Sequence, residues 1–254
     1  MILIDGSWKD AKSIKETLWS SNESFIKISE DCKLSDFSFL SDFKTIRRIE
    51  ITKKIPIDFV NTMDGLKEIF GQGCVLNFEL ANANVEILRG AWTPKFSVSE
   101  KTASLHTLGI KGCKNPSELF NILQRIKSLK SLELGNCSVC DFNCLHPLHG
   151  LESLEITKFR NLMALDGLEC LAPNLKELRI NYAGGLESYD ALQKIKTLET
   201  LIIFKSGNIK SLNFCKFLPK LKDLRIVSTK IETNPDEELQ ALFGRLGNAG
   251  FFET

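Results

Sequence analysis

The sequence has few of the residues that do chemistry. Histidine occurs three times in 254 residues, at 106, 146 and 149. There is no bias of charge either: Lys plus Arg total 33 and Asp plus Glu 32, a formal net charge of +1. That balance excludes a general nucleic-acid coat, a basic membrane anchor and an acidic disordered tail, because each needs an excess of one sign. No apolar run approaches the roughly 20 residues that cross a bilayer. No phosphate-binding loop, dinucleotide-binding glycine turn or nucleophile elbow occurs, and no pair of carboxylates stands at recognisable acid–base spacing. The N-terminus, Met1-Ile2-Leu3-Ile4-Asp5, lacks the basic start and the roughly 7–15 apolar residues of a secretory signal. The expectation is an unprocessed, intracellular, cytoplasmic chain whose eight cysteines are reduced thiols.

What is present is ordinary in amount, 43% apolar and 26% charged, and unusual in order. Leu129-Lys-Ser-Leu132-Glu-Leu134-Gly-Asn-Cys137 has apolar residues at relative positions 1, 4 and 6 and a small residue at 9. The frame recurs from Leu105, Leu151, Leu175, Leu198 and Leu221. Going backwards, it fits Val75-Phe78-Leu80 and Ile46-Ile49-Ile51, with a degenerate copy from Glu23. The starts at 23, 46, 75, 105, 129, 151, 175, 198 and 221 are 22–24 residues apart except for two longer units between 46 and 105. Positions 4 and 6 alternate with 3, 5 and 7, the period of a strand. One such turn cannot bury its own leucines, so stability must come from stacking neighbours.

This pattern resembles the leucine-rich repeat family, whose signature is L-x-x-L-x-L-x-x-N/C, over residues 23–229. The short period is most like the internalin and phosphatase-regulator classes. The resemblance implies an α/β solenoid: a horseshoe with a parallel concave sheet, a 3₁₀ or short-helix convex side and helical caps. As a single domain, residues 1–22 would form the N-terminal cap, 23–229 about nine repeats and 230–254 a helical C-terminal cap.

Within that frame, Ala11–Ser20 reads as a cap helix with Ile14 and Leu18 on one face, and Met1–Ile4 as an edge strand. Asn234-Pro235-Asp236-Glu237-Glu238 reads as a helix start, giving a cap helix over 235–246 ended by Gly247. The stretch Ile57–Phe70 has Phe59, Met63, Leu66 and Phe70 at α-helical spacing, which predicts a helix on the convex side. Position 9 carries no asparagine ladder, and burial of Lys54 there would leave its charge unpaired. The frame of the first two copies is therefore open to a shift by one residue.

Positions 3, 5 and 7 face outward on the sheet. Position 5 reads Lys27, Glu50, Glu79, Gly109, Glu133, Glu155, Arg179, Ile202 and Arg225. Glu133 and Glu155 would be neighbours across strands, where like charges cost stability, so the acidic column is a candidate for docking a basic partner. Further on, Glu177, Arg179, Tyr182, Ile202, Phe204, Lys205 and Arg225 form a mixed set of the kind interfaces use. The partner-binding candidates are thus Glu50, Glu79, Glu133, Glu155, Glu177, Arg179, Tyr182, Ile202, Phe204, Lys205 and Arg225.

Cys137-x2-Cys140-x3-Cys144-x-His146-x2-His149 contains zinc-ligand residue types. It has no second half-site at finger-like spacing, and Cys137 already serves the repeat, so the reading is structural thiols, with no metal and no cofactor. The function expected is a non-catalytic protein-interaction scaffold binding a protein through its concave face, with no nucleic acid and no membrane involved. In its most specific form it is a bacterial immunity protein that neutralises a toxin domain with a basic surface. A regulatory adaptor of a phosphatase or ubiquitin-ligase type complex is the alternative, and a metal protein or enzyme built on the Cys137–His149 cluster the third.

Overall fold

The computed structural model describes residues 1–143, 147–234, 237–238 and 246–252. Its strands come from the repeat frame. Frame positions 4 and 6 point inward as Leu108/Ile110, Leu132/Leu134, Leu154/Ile156, Leu178/Ile180, Leu201/Ile203 and Leu224/Ile226, each at most 2% exposed. Full burial of such a side chain is worth about 1.5–3 kcal/mol, so each repeat is tied to its neighbours by the residues that repeat. Contacts group the chain into two compact units, Met1–Lys111 with Arg125–Leu129, and Gly112–Gln124 with Lys130–Thr254.

The first unit opens with strand β1 (Ile2–Ile4) and helix α1 (Ala11–Ser20). Both are expected from sequence. The Asp10 carboxylate accepts a hydrogen bond from the Ser13 backbone N–H at 2.8 Å, which caps the helix, and Ile14 and Leu18 are its buried face. β1 pairs in parallel with β2 (Phe25–Ile28), followed by β3 (Arg48–Ile51), β4 (Glu68–Val75), β6 (Ile87–Ala91) and β8 (Thr107–Lys111). Two further short strands, β5 (Glu79–Leu80) and β7 (Ser97–Val98), form a separate two-stranded sheet.

This arrangement corrects three sequence readings. Ile57–Phe70 is not an α-helix: Asp58–Thr62 is a 3₁₀ turn, and β4 starts at Glu68. The residues buried there are Ile57, Val60, Met63, Leu66 and Ile69, an interval of three, which is the 3₁₀ repeat rather than 3.6. Hydrogen bonds from the N–H groups of Val60, Met63 and Leu66 to carbonyls three residues back close the turns. Residues 37–43 do the same with Phe37, Leu40 and Phe43.

The two long units between Ile46 and Leu105 are therefore three short ones, starting at Ile46, Leu66, Val85 and Leu105, 20, 19 and 20 residues apart. Val75-Phe78-Leu80 is not a repeat strand. It belongs to an insertion that begins at a bulge in β4 between Phe70 and Val75. The new strands carry Gly71 and Gly90 at position 6. A Cβ at Gly90 would stand 2.7 Å from Leu76 Cδ2, and one at Gly71 2.9 Å from Cys74 Cβ. Cys74 and Leu76, both buried, supply the inward bulk that the glycines omit. Beyond them Phe78, Trp92 and Phe96 pack edge to face.

The third correction concerns the first two copies. Cys32 and Ile55 are buried, whereas Asp31 and Lys54 are exposed, so the frame after those strands is one residue longer and no lysine head group is buried.

The second unit is regular. Its sheet runs β9 (Ser131–Gly135), β10 (Ser153–Thr157), β11 (Glu177–Asn181), β12 (Thr200–Phe204), β13 (Asp223–Val227) and β14 (Asn248–Phe252), all parallel and in register. Return segments use helix α2 (Pro116–Leu123), the single-turn helix α3 (Leu168–Leu171), and 3₁₀ turns at Asp190–Lys194 and Asn213–Phe217. The expected inward residues Val139, Leu148, Ile209, Leu212 and Phe214 are buried; Leu145 lies outside the described residues. Most of the expected cap helix over 235–246 also lies outside them, although Glu237 and Glu238 are helical. After Gly247 the chain adds strand β14, which sequence reasoning missed.

Candidate interaction face

In the second unit the sheet register lines the outward residues into columns. Position 5 runs Glu133, Glu155, Arg179, Ile202, Arg225. Glu133 and Glu155 are direct partners across β9 and β10, both half-buried. Neutral donors ease that repulsion: Asn181 Nδ2 donates to Glu155 Oε1 at 3.1 Å and the Thr157 hydroxyl donates at 3.2 Å. The remaining charges pair within their own strands. Arg179 is 2.6 Å from Glu177, and Arg225 grips Asp223 through Nε at 3.0 Å and Nη2 at 2.7 Å. Ile202 is half-buried between the two arginines.

The strand ends differ. Position 8 of successive repeats is left-handed throughout, with φ of 77° at Gly112, 52° at Asn136, 60° at Lys158, 55° at Tyr182, 46° at Lys205 and 49° at Ser228. The N–H groups at this position continue the ladder to the next repeat. Those of Gly112, Asn136, Lys158, Tyr182 and Lys205 donate to the carbonyls of Gly135, Thr157, Asn181, Phe204 and Val227 at 2.8–3.0 Å. Tyr182 lies edge-on to Phe204 at 5.1 Å, and Lys205 Nζ sits 5.2 Å from the Phe204 ring centre. One residue on, hydroxyls replace the family's asparagine. Thr229 Oγ1 accepts from Ser206 N–H at 3.0 Å, and Ser206 Oγ accepts from Ala183 N–H at 3.2 Å.

In the first unit the corrected register changes the face. Position 5 there is Lys27, Glu50, Phe70, Arg89, Gly109. Lys27 Nζ meets Glu50 at 2.8 Å. Arg48 stacks between Phe25 at 4.8 Å and Phe70 at 4.2 Å, and Arg89 covers Phe70 at 4.8 Å. Glu79, a sequence candidate, sits in the small side sheet and not beside Glu50. Phe70 and Arg89 take the places that the misread frame gave to others. Their signal, a Leu66-x-x-Ile69 start, was present but ended in glycine.

Position 2 forms a line of alternating charge in the second unit. Glu152 accepts from Lys130 at 2.9 Å and Lys176 at 2.6 Å, and Glu199 accepts from Lys222 at 2.9 Å. The Lys176 and Lys130 ammonium groups hold the Glu152 carboxyl down to about 2. Lys130, Glu152, Lys176 and Glu199 border, with His149 and Lys220, a recess of about 260 Å³.

Of the Cys/His cluster, Cys137 is buried at position 9, Cys140 is exposed and His149 borders that recess, while Cys144 and His146 lie outside the described residues. Among the described residues no three Cys, His, Asp or Glu side chains converge as metal ligands. The Cys137 thiol donates to the Gly135 carbonyl at 3.5 Å and the Cys113 thiol to that of Asn115 at 3.2 Å; the neighbouring Cys137 thiol and burial push the Cys113 thiol up.

A stack of parallel strands built on L-x-x-L-x-L, with 3₁₀ returns, defines a leucine-rich repeat fold. No family model matches the chain. It is similar in fold to an internalin of Listeria monocytogenes str. 4b F2365, with a TM-score of 0.53 and 16% identity over 91% of this chain and 60% of that one. The TLR13 chain of a complex with ssRNA13 gives a TM-score of 0.49 at 15% identity, over 99% of this chain and 46% of that one. In sequence it is 30% identical to a DNA ligase of Aquifex aeolicus (strain VF5) over 109 residues, which are 43% of this chain and 14% of the ligase. This chain therefore spans a small part of that curated relative.

Proposed function

We propose that this chain is a non-catalytic scaffold that binds a protein partner through the strand face of its second unit. In its finer form it is a cytoplasmic immunity protein that occupies the basic surface of a toxin domain. The observation that carries the reading is the register pairing of Glu133 with Glu155. Two like charges side by side weaken a sheet, and a cationic partner would reverse that cost. The neighbouring arginines pair with Glu177 and Asp223 within their own strands. No helix among the described residues is long and apolar enough to cross a membrane.

The test is the double variant Glu133→Lys/Glu155→Lys, titrated against the partner recovered by cross-linking. The expected result is a loss of affinity of about 10- to 100-fold and a shallower dependence on salt. Unchanged affinity with an unchanged salt slope removes the acidic pair from the interface.

A further inference from the structure

We infer that the left-handed edge of the second unit's sheet, formed by Lys158, Tyr182, Phe204 and Lys205, is a docking surface for a carboxylate-bearing segment of a protein partner. The inference rests on the scaffold reading above for there being a partner, but it concerns different residues and the opposite charge.

The argument starts from backbone cost. Position 8 is held at φ > 0 in six successive repeats of this unit. Glycine adopts that conformation without strain and asparagine nearly so, whereas a bulky side chain there is strained. Gly112 and Asn136 are the inexpensive solutions. The next three repeats instead carry Lys158, Tyr182 and Lys205. Burial in the core does not explain the choice: Tyr182 and Lys205 pack only on Phe204 and on each other at the surface, and all three are exposed, Tyr182 at 44%. Strain retained where the fold offers a cheaper residue points to a use for the side chain.

Their chemistry indicates which use. The cations around them on the face are neutralised by carboxylates, as in Arg179–Glu177 and Arg225–Asp223. Among the described residues neither Lys158 nor Lys205 is paired with a carboxylate, and Lys205 rests over the Tyr182 and Phe204 rings. Two ammonium groups flanking an exposed phenol and a half-buried phenyl ring suit an anionic group with apolar surface beside it. Glu155 lies on the same sheet with only neutral donors on its carboxylate. It would repel a continuous polyanion but leave room for an isolated carboxylate, which favours an acidic protein segment over a nucleic-acid strand.

The experiment replaces the three residues with the one the fold already uses at Asn136, giving Lys158→Asn/Tyr182→Asn/Lys205→Asn. Two fluorescein-labelled probes are titrated in low salt: a ten-residue peptide of alternating Glu and Leu, and a fifteen-nucleotide oligo-dT. The wild-type protein should bind the peptide, and the triple variant should bind it about tenfold or more weakly while melting at or above the wild-type temperature, because asparagine relieves the strain at positive φ. The variant Glu133→Lys/Glu155→Lys should not weaken peptide binding, which separates failure here from failure of the acidic-pair reading. Equal peptide binding by wild type and triple variant overturns the inference. So does a lowered melting temperature, since the three residues would then serve the fold. Oligo-dT binding without peptide binding also overturns it and gives the edge to nucleic acid.

Discussion

In the second unit the five strands β9 to β13 supply Leu or Ile at frame position 6, and successive strands pair without a break in register. In the first unit two strands carry Gly71 and Gly90 at that position, and Cys74 and Leu76 reach in from a bulged insertion to fill the gap. The same core is thus completed in one unit by the repeat itself and in the other by a segment outside it. The difference shows that a repeat is defined by the space it must fill, and the residue that fills it need not sit in the frame.

The largest effect tests that statement directly. Leu134→Ala in the second unit should cost about 2–5 kcal/mol, because it empties a position that is 1% exposed. In the first unit, Gly90→Leu forces atoms into Leu76 and should cost about 1–3 kcal/mol, and Leu76→Ala alone should cost about as much as any large-to-small core change. The double variant Gly90→Leu/Leu76→Ala should be more stable than either single one, since each change makes room for or replaces the other. Urea denaturation of the four proteins gives the cycle. Additive losses would mean that Leu76 does not stand in for the missing position-6 side chain.

The same contrast explains how far the sequence could be read. From Leu105 to Val227 the strands, their inward residues and the adjacency of Glu133 and Glu155 were all legible, because leucine and isoleucine mark each turn at a steady interval; β14, beyond the last marked turn, was not. Between Ile46 and Leu105 the marker fails at the glycines. The next apolar triplet, Val75-Phe78-Leu80, imitates the frame in a segment that folds into a side sheet. The three-residue rhythm of Ile57, Val60, Met63 and Leu66 was also present, but Phe59 and Phe70 offered a competing α-helical face that tertiary packing did not choose. For the face itself, Glu79 was misplaced for this reason, and Phe70 and Arg89 went unnoticed. The left-handed edge was invisible, because no residue type in Lys158, Tyr182 or Lys205 announces positive φ.

A middle-sized effect concerns position 9. Ser206 Oγ accepts from Ala183 N–H at 3.2 Å and bonds the Phe204 carbonyl at 3.0 Å. Ser206→Ala leaves those backbone groups without that partner and should cost about 1–3 kcal/mol. The first unit uses other side chains for comparable work: buried Asn82 donates to the Val60 and Met63 carbonyls at 2.7 and 2.9 Å. Asn82→Ala should therefore cost a similar amount. If only one of the two variants is destabilised in thermal melts, the two ladders are not equivalent.

The smallest effect separates the units by pH. Glu152, between Lys176 and Lys130, has its carboxyl lowered to about 2, below the roughly 4.3 of an unfolded chain. A group held ionised in the folded state adds stability that is present above the unfolded value and fades as pH falls from about 4.5 toward 2. Glu152 is on the surface, so the gain is screened by salt and small. Protection factors for amide exchange in β10 and β11, taken relative to the intrinsic rate at each pH, should fall over that pH window in wild type more than in Glu152→Gln. In 1 M salt the two proteins should converge. Exchange in β2 and β3 should not distinguish them at any pH, since neither strand touches this line of charges; a shared response there would mean that Glu152 acts on the first unit as well as on its own.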